Sequence, residues 1–196
     1  LIFMGNEISQ VKEWDYSSQI DYQLLEREEH NKIILRDIEA AGICQIPWLV
    51  VHPATWYDSA GYSYKLSMKN EIERFKRLGE VAARHNVGIS IENIGKTQCG
   101  DRFFCTATEE LLELLEHLGD DKLFGICWDT GHANLMHFDQ AEAIKFLGNR
   151  IKCTHIHNNN RRDDNHFPPD NGSVEWDKVM AAFSSVGYDG PLTLET

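Results

Sequence analysis

Five side chains able to bind a cation or move a proton stand directly behind short apolar runs. They are His52 after WLVV, Glu92 after GISI, Asp129 after GICW, His157 at the end of IKCTHIH, and Glu195 after PLTL. Runs of this kind form the buried strands of a parallel sheet. A carboxylate leaving such a strand is costly to bury unless a cation lies beside it. A divalent metal would supply that cation to all five residues at once. Mixed imidazole and carboxylate donors suit Zn2+, Mn2+ or Co2+ better than an all-oxygen Ca2+ cage. Each residue alone reads as a solvated loop residue; the five together point to a site. His155 lies two residues before His157 and so shares its strand face, one being read as a ligand and the other as its support. In Asp129-Thr130-Gly131-His132, the glycine is expected to relax the backbone so that carboxylate and imidazole face one cavity.

A second group lies in the polar segment RRDDNHFPPDNG. Asp164 and His166 offer another oxygen and nitrogen pair, while Arg161 or Arg162 would hold a substrate oxygen or phosphate. Trp56 and Trp128 are expected near the same rim as an apolar wall for a substrate ring. His30, His85, His117 and His137 fall on helices or turns and read as surface residues.

The elements that must position these groups alternate between two patterns. Helical spacing runs from Ser18 to Ala41, from Ser67 to Arg84 and from Val174 to Val186. Thr106 and Glu109 have capping-box spacing ahead of the stripe Leu111, Leu114, Leu115 and Leu118, and Asp139 with Glu142 is expected to cap a further helix. Strands are expected at Trp48 to His52, Val87 to Asn93, Gly125 to Asp129, Arg150 to His157 and Pro191 to Thr196, with a short sixth near Phe167. Strands alternating with helices make a parallel sheet. Neither G-x-G-x-x-G nor a P-loop is present, which favours a (β/α)8 barrel over a doubly wound nucleotide binder. A whole barrel is typically ~250 residues, so 196 residues imply an incomplete one, read as a single domain over 1–196.

Composition excludes several classes. With Lys+Arg 19 against Asp+Glu 31 the net charge is −12, which disfavours a nucleic-acid partner. Hydrophobic content of 42% and charged content of 26% are those of a globular chain. No apolar run approaches the ~20 residues of a membrane span, so a soluble, cytoplasmic protein is expected. Cys44, Cys99, Cys105, Cys127 and Cys153 lack C-x-x-C spacing and are expected to be buried thiols.

In order, VVHPA, SIEN, WDTGH, HIHNN, DNHFPPDNG and LTLE resemble the xylose isomerase-like barrel superfamily, which includes sugar isomerases and epimerases and the apurinic endonucleases of the endonuclease IV type. The resemblance implies that the chain holds barrel strands three to eight, with two strands before Leu1 and a closing helix after Thr196. It implies one divalent metal (Mn2+, Zn2+, Co2+ or Mg2+) on Glu92, Asp129, His157 and Glu195, with His155 as the alternative histidine. Glu92 and Glu195, arriving from opposite sides of the mouth, would exchange a proton with a sugar or sugar phosphate through a metal-held enediolate. His132, Arg161, Trp56 and His155 would contact that substrate. The endonuclease branch implies a wider set that adds His52, His132, Asp164 and His166. HPAT replaces that branch's HPG, and the net charge also weighs against it. A homo-oligomer is compatible with the sequence.

Overall fold

The computed structural model describes residues 28–95 and 102–196. Its order is α1 (Glu28–Ile43), β1 (Trp48–Val51), β2 (Tyr57–Asp58), β3 (Gly61–Tyr62), α2 (Tyr64–His85), β4 (Gly88–Glu92), α3 (Thr108–Leu118), β5 (Phe124–Asp129), α4 (Thr130–Leu135), α5 (Gln140–Leu147), β6 (Ile151–Ile156), α6 (Trp176–Ser185) and β7 (Thr193–Leu194). The expected start of the first helix at Ser18, and Cys99, lie outside the described residues.

Strands β1, β4, β5, β6 and β7 form one parallel sheet in that order. Their carboxyl ends therefore lie along one edge, where His52, Glu92, Asp129, His157 and Glu195 follow or end them. The sheet curls: β1 and β6 are three positions apart, about 14 Å in a flat sheet, yet residues of the two approach within 8 Å. Every residue of β4 and β5 is buried, as expected of central strands covered on both faces. Helices cover the outer face with apolar stripes, including Phe75, Leu78 and Ala82 of α2, Leu111 and Leu114 of α3, Ile144 and Leu147 of α5, and Val179 and Phe183 of α6. A β2/β3 hairpin follows β1. Among the described residues no helix is long and apolar enough to cross a membrane.

Several expectations are corrected. The sheet has five strands among the described residues, not six: Phe167 makes an isolated antiparallel bridge with Asn158, and β6 pairs directly with β7. Thr106 does not cap α3, because its hydroxyl donates to the Phe103 carbonyl (3.0 Å) in the preceding turn and Ala107 takes the cap position. Asp139 does cap α5, accepting from Glu142 N at 3.2 Å. Cys44 is exposed, whereas Cys105 and Cys127 are buried and Cys153 is intermediate. Trp128 is fully buried with its indole N–H directed to Gln140 (3.4 Å), so it belongs to the core and not to a substrate wall.

A buried ion pair fixes the loop after β1. Glu71 of α2 accepts from Arg74 at 2.7 Å and from the Ala54 backbone N–H at 3.0 Å, and Arg74 donates to the His52 carbonyl at 2.7 Å. Both side chains are almost wholly buried. One pair of charges therefore holds His52 and its neighbours in place. Removing one partner strands the other charge, which costs ~3–5 kcal/mol. Glu71→Ala should lose about that much stability in denaturant unfolding; a loss below about 1 kcal/mol, the size of an exposed pair, would contradict this role.

Candidate metal centre

Glu92, the last residue of β4, has no solvent exposure, and its carboxylate is ringed by imidazoles. His52 Nε2 lies 3.0 Å from Oε2, His155 Nδ1 3.2 Å from the same oxygen, and His132 Nδ1 3.3 Å from Oε1. Burial alone would raise this carboxyl, but His155, His52 and His132 hold it well below the usual range. Asp129, equally buried, is likewise held down against burial by His132 and His157. Burial would lower His155, yet Glu92, Cys127 and Glu195 push it well upward. The histidine protons thus supply the positive charge that the carboxylates require.

The donor atoms of Glu92, Asp129, His155 and Glu195 lie within 4.8 Å of one another. His155 Nδ1 is 3.0 Å from Glu195 Oε2 and 3.8 Å from Asp129 Oδ2. Glu92 and Glu195, carried by strands three positions apart in the sheet, therefore converge on one imidazole. His157 lies beyond the β6 end and turns elsewhere: its Nε2 is 3.0 Å from Asp129 Oδ1, and its ring stacks on His166 with centroids 4.0 Å apart. The histidine that joins the two glutamates is His155. Shared strand parity could not choose between the two, because β6 ends at Ile156 and His157 lies past it, beside Asn158, which pairs with Phe167.

His157, Asp164 and His166 form a second donor group within the same 4.8 Å limit. His166 Nδ1–H donates to the Glu195 carbonyl at 2.9 Å, which turns Nε2 toward Asp164 Oδ2 at 3.2 Å. His132 Nε2 reaches the same Asp164 oxygen at 3.5 Å. Asp164 is held low despite burial by His132 and His166, whereas His166 is raised against burial to about 9, chiefly by Asp164.

Backbone and amide contacts set these positions. Asn93 accepts from Asp129 N (2.7 Å) and donates to Asp129 O (3.0 Å), continuing the β4/β5 ladder by one rung. Its own carbonyl accepts His132 Nδ1–H at 2.9 Å. Thr130 Oγ1 joins β5 to the end of β6 through His157 O (2.9 Å). Asn93 stood in the motif SIEN, but nothing in its type revealed that its amide imitates a peptide group. Asp129 Oδ1 accepts from His132 N at 2.7 Å and caps α4, a helix the sequence pattern did not reveal because only six residues form it. Gly131 has a different role from the one expected. A Cβ there would lie 1.8 Å from His157 Cε1, so glycine makes room for the ring and does not supply backbone freedom.

Two residues expected to contact substrate, Trp56 and Arg161, make hydrogen bonds within the chain. The Trp56 indole N–H is directed to Glu71 (3.4 Å) and its ring packs on the core. Arg161 is exposed; its Nε donates to Asn134 Oδ1 (3.0 Å) and it lines a cleft with Asp139, Glu175 and Lys178 beside α5 and α6.

Two outcomes follow. Gly131→Ala should displace the His157 ring, costing ~1–3 kcal/mol as overpacking does; an unchanged unfolding midpoint would contradict the contact. In metal-free protein, protonated His166 contributes stability that is complete below pH 6.5 and lost as the pH rises through about 9. Unfolding midpoints should fall across that window, and less so in His166→Asn; a flat profile in the parent protein would contradict the pairing.

The sequence profile described as xylose isomerase-like TIM barrel matches residues 23–196. An uncharacterised protein of Methanocaldococcus jannaschii is 29% identical over 166 residues, covering 82% of this chain and 55% of its own length. An inosose isomerase of Halalkalibacterium halodurans is 24% identical, with 81% and 56% covered. A D-psicose 3-epimerase of Enterocloster bolteae is 23% identical, with 63% and 38% covered. Among solved structures, a D-tagatose 3-epimerase-like protein superposes with a TM-score of 0.73 at 25% identity, covering 88% of this chain and 63% of that one. The chain thus spans about half the length of the curated relatives it matches. This chain, whose described residues form a five-stranded parallel half-barrel with titratable residues along one edge and which is matched over 23–196, belongs to the xylose isomerase-like TIM barrel family.

Proposed function

We propose that this chain carries the catalytic face of a divalent-metal-dependent sugar or sugar-phosphate isomerase or epimerase, with Glu92, Asp129, His155 and Glu195 as ligands. The carrying observation is the convergence of those four donors within 4.8 Å at the ends of adjacent strands. The donors fit such an ion: three carboxylates and one imidazole are a mixed set suited to Mn2+, Co2+ or Zn2+. Neither buried oxygen of Glu92 accepts a hydrogen bond from a backbone or hydroxyl group, which leaves both for cationic partners. The names of the relatives, a D-psicose 3-epimerase and an inosose isomerase, support the substrate class.

A bound ion would polarise a substrate carbonyl and acidify the adjacent C–H. The remaining chemistry belongs to side chains. Glu195, 17% exposed, is the carboxylate that substrate reaches more readily, and Glu92 is enclosed behind it. One removes the proton from carbon and the other returns it. His132, oriented by the Asn93 carbonyl, directs Nε2 toward Asp164, where it would hold a substrate hydroxyl. His52, tied to the Glu71 and Arg74 pair, supports Glu92 from behind.

A second reading, phosphodiester hydrolysis over several cations, draws on the His157, Asp164 and His166 group. It requires nicking of abasic DNA with binding that falls steeply with salt; the isomerase reading requires neither. Glu92→Gln and Glu195→Gln should each reduce deuterium exchange from solvent into a ketose by ~10²–10⁴-fold, the range for a lost general acid or base, with the unfolding transition retained. Exchange at the parent rate in both variants would overturn the assignment.

A further inference from the structure

The inward faces of the central strands carry a second kind of donor one layer below the carboxylates. Residues two apart on a strand share a face, so Ser90 lies under Glu92 on β4, Cys127 under Asp129 on β5 and Cys153 under His155 on β6. The strands are staggered, and Cys127 stands level with Glu92 across the β4/β5 ladder and level with Cys153 across β5/β6. This brings Cys127 Sγ, a Glu92 oxygen and a His155 nitrogen within 4.8 Å of one another. The thiol is fully buried, and Glu92 has no exposure.

We propose that thiophilic divalent cations are bound one layer deeper than the hard-metal position, by Cys127 together with Glu92 and His155. The inference rests on the reading of Glu92 and His155 as metal ligands and adds a sulfur donor to it. Carboxylate-rich sites favour hard ions, whereas thiolate favours soft ones. Two overlapping donor sets therefore share Glu92 and His155 and differ in whether Asp129 and Glu195 or Cys127 completes them, which makes their occupation mutually exclusive. On binding, the Cys127 S–H bond and the N–H bond of the ligating His155 nitrogen break as the sulfur–metal and nitrogen–metal bonds form, and both protons pass to solvent; no electron is transferred. A soft ion so held would withdraw Glu92 and His155 from the upper position and exclude the hard ion.

The test titrates wild type, Cys127→Ser and Cys153→Ser with Cd2+ alone and with Mn2+ alone. Cd2+ is followed by its thiolate charge-transfer absorbance and by calorimetry, and Mn2+ by electron paramagnetic resonance. Wild type and Cys153→Ser should show the thiolate band at one Cd2+ per chain, and Cd2+ should displace Mn2+. Cys127→Ser should lose the band and bind Cd2+ roughly tenfold or more weakly while its Mn2+ affinity stays within about twofold. Cys127→Ala provides the same comparison if serine disturbs the packing. A missing band in wild type, or a band kept by Cys127→Ser and lost by Cys153→Ser, overturns the inference. Failure of wild type to bind Mn2+ while the cadmium–thiolate band forms as described would instead sink the hard-metal reading alone.

Discussion

The arrangement depends on a carboxylate with no access to water. Glu92 closes a central strand of the sheet, and its ionisation is stabilised by positive charge from His52, His132 and His155. A buried carboxylate without such partners would be protonated or would destabilise the fold. With protons on the histidines the cluster is neutralised by the chain itself; a cation on the proposed ligand set would take His155 as its neutral imidazole donor and displace that proton. Under that proposal, metal uptake and the protonation of the site form one linked equilibrium.

Around that charge cluster, the neighbouring elements leave little freedom. Asn93 extends the β4/β5 ladder into the site and holds His132 by its carbonyl. Thr130 ties β5 to the end of β6, and the bare Cα of Gly131 admits the His157 ring. The Glu71 and Arg74 pair secures the His52 loop from α2. These supports fix the backbone at the strand ends and the His132 ring, so the side chains of the proposed site are oriented without a cation or substrate. Such outer contacts tune both the affinity and the tautomer of metal-binding histidines.

Much of this was legible in the sequence because strand ends are marked by a change from apolar to titratable residues. WLVVH, GISIE, GICWD and PLTLE located His52, Glu92, Asp129 and Glu195 on one edge without any long-range information. The Asp139 cap was legible because capping is a contact between near neighbours. That His155, and not His157, approaches both Glu92 and Glu195 was not, since the two have the same parity and only the end of β6 at Ile156 separates their directions. The destinations of Trp56, Trp128 and Arg161 were hidden for the same reason: their partners Glu71, Gln140 and Asn134 lie on other elements. The extra strand near Phe167 was a local apolar signal that the fold uses to close a loop.

The most direct test is a crystal structure of the Mn2+-soaked protein with anomalous scattering from the metal. A single strong peak bound by Glu92, Asp129, His155 and Glu195 is the result required here. A peak ligated by His157 in place of His155, or none at this cluster, would contradict it.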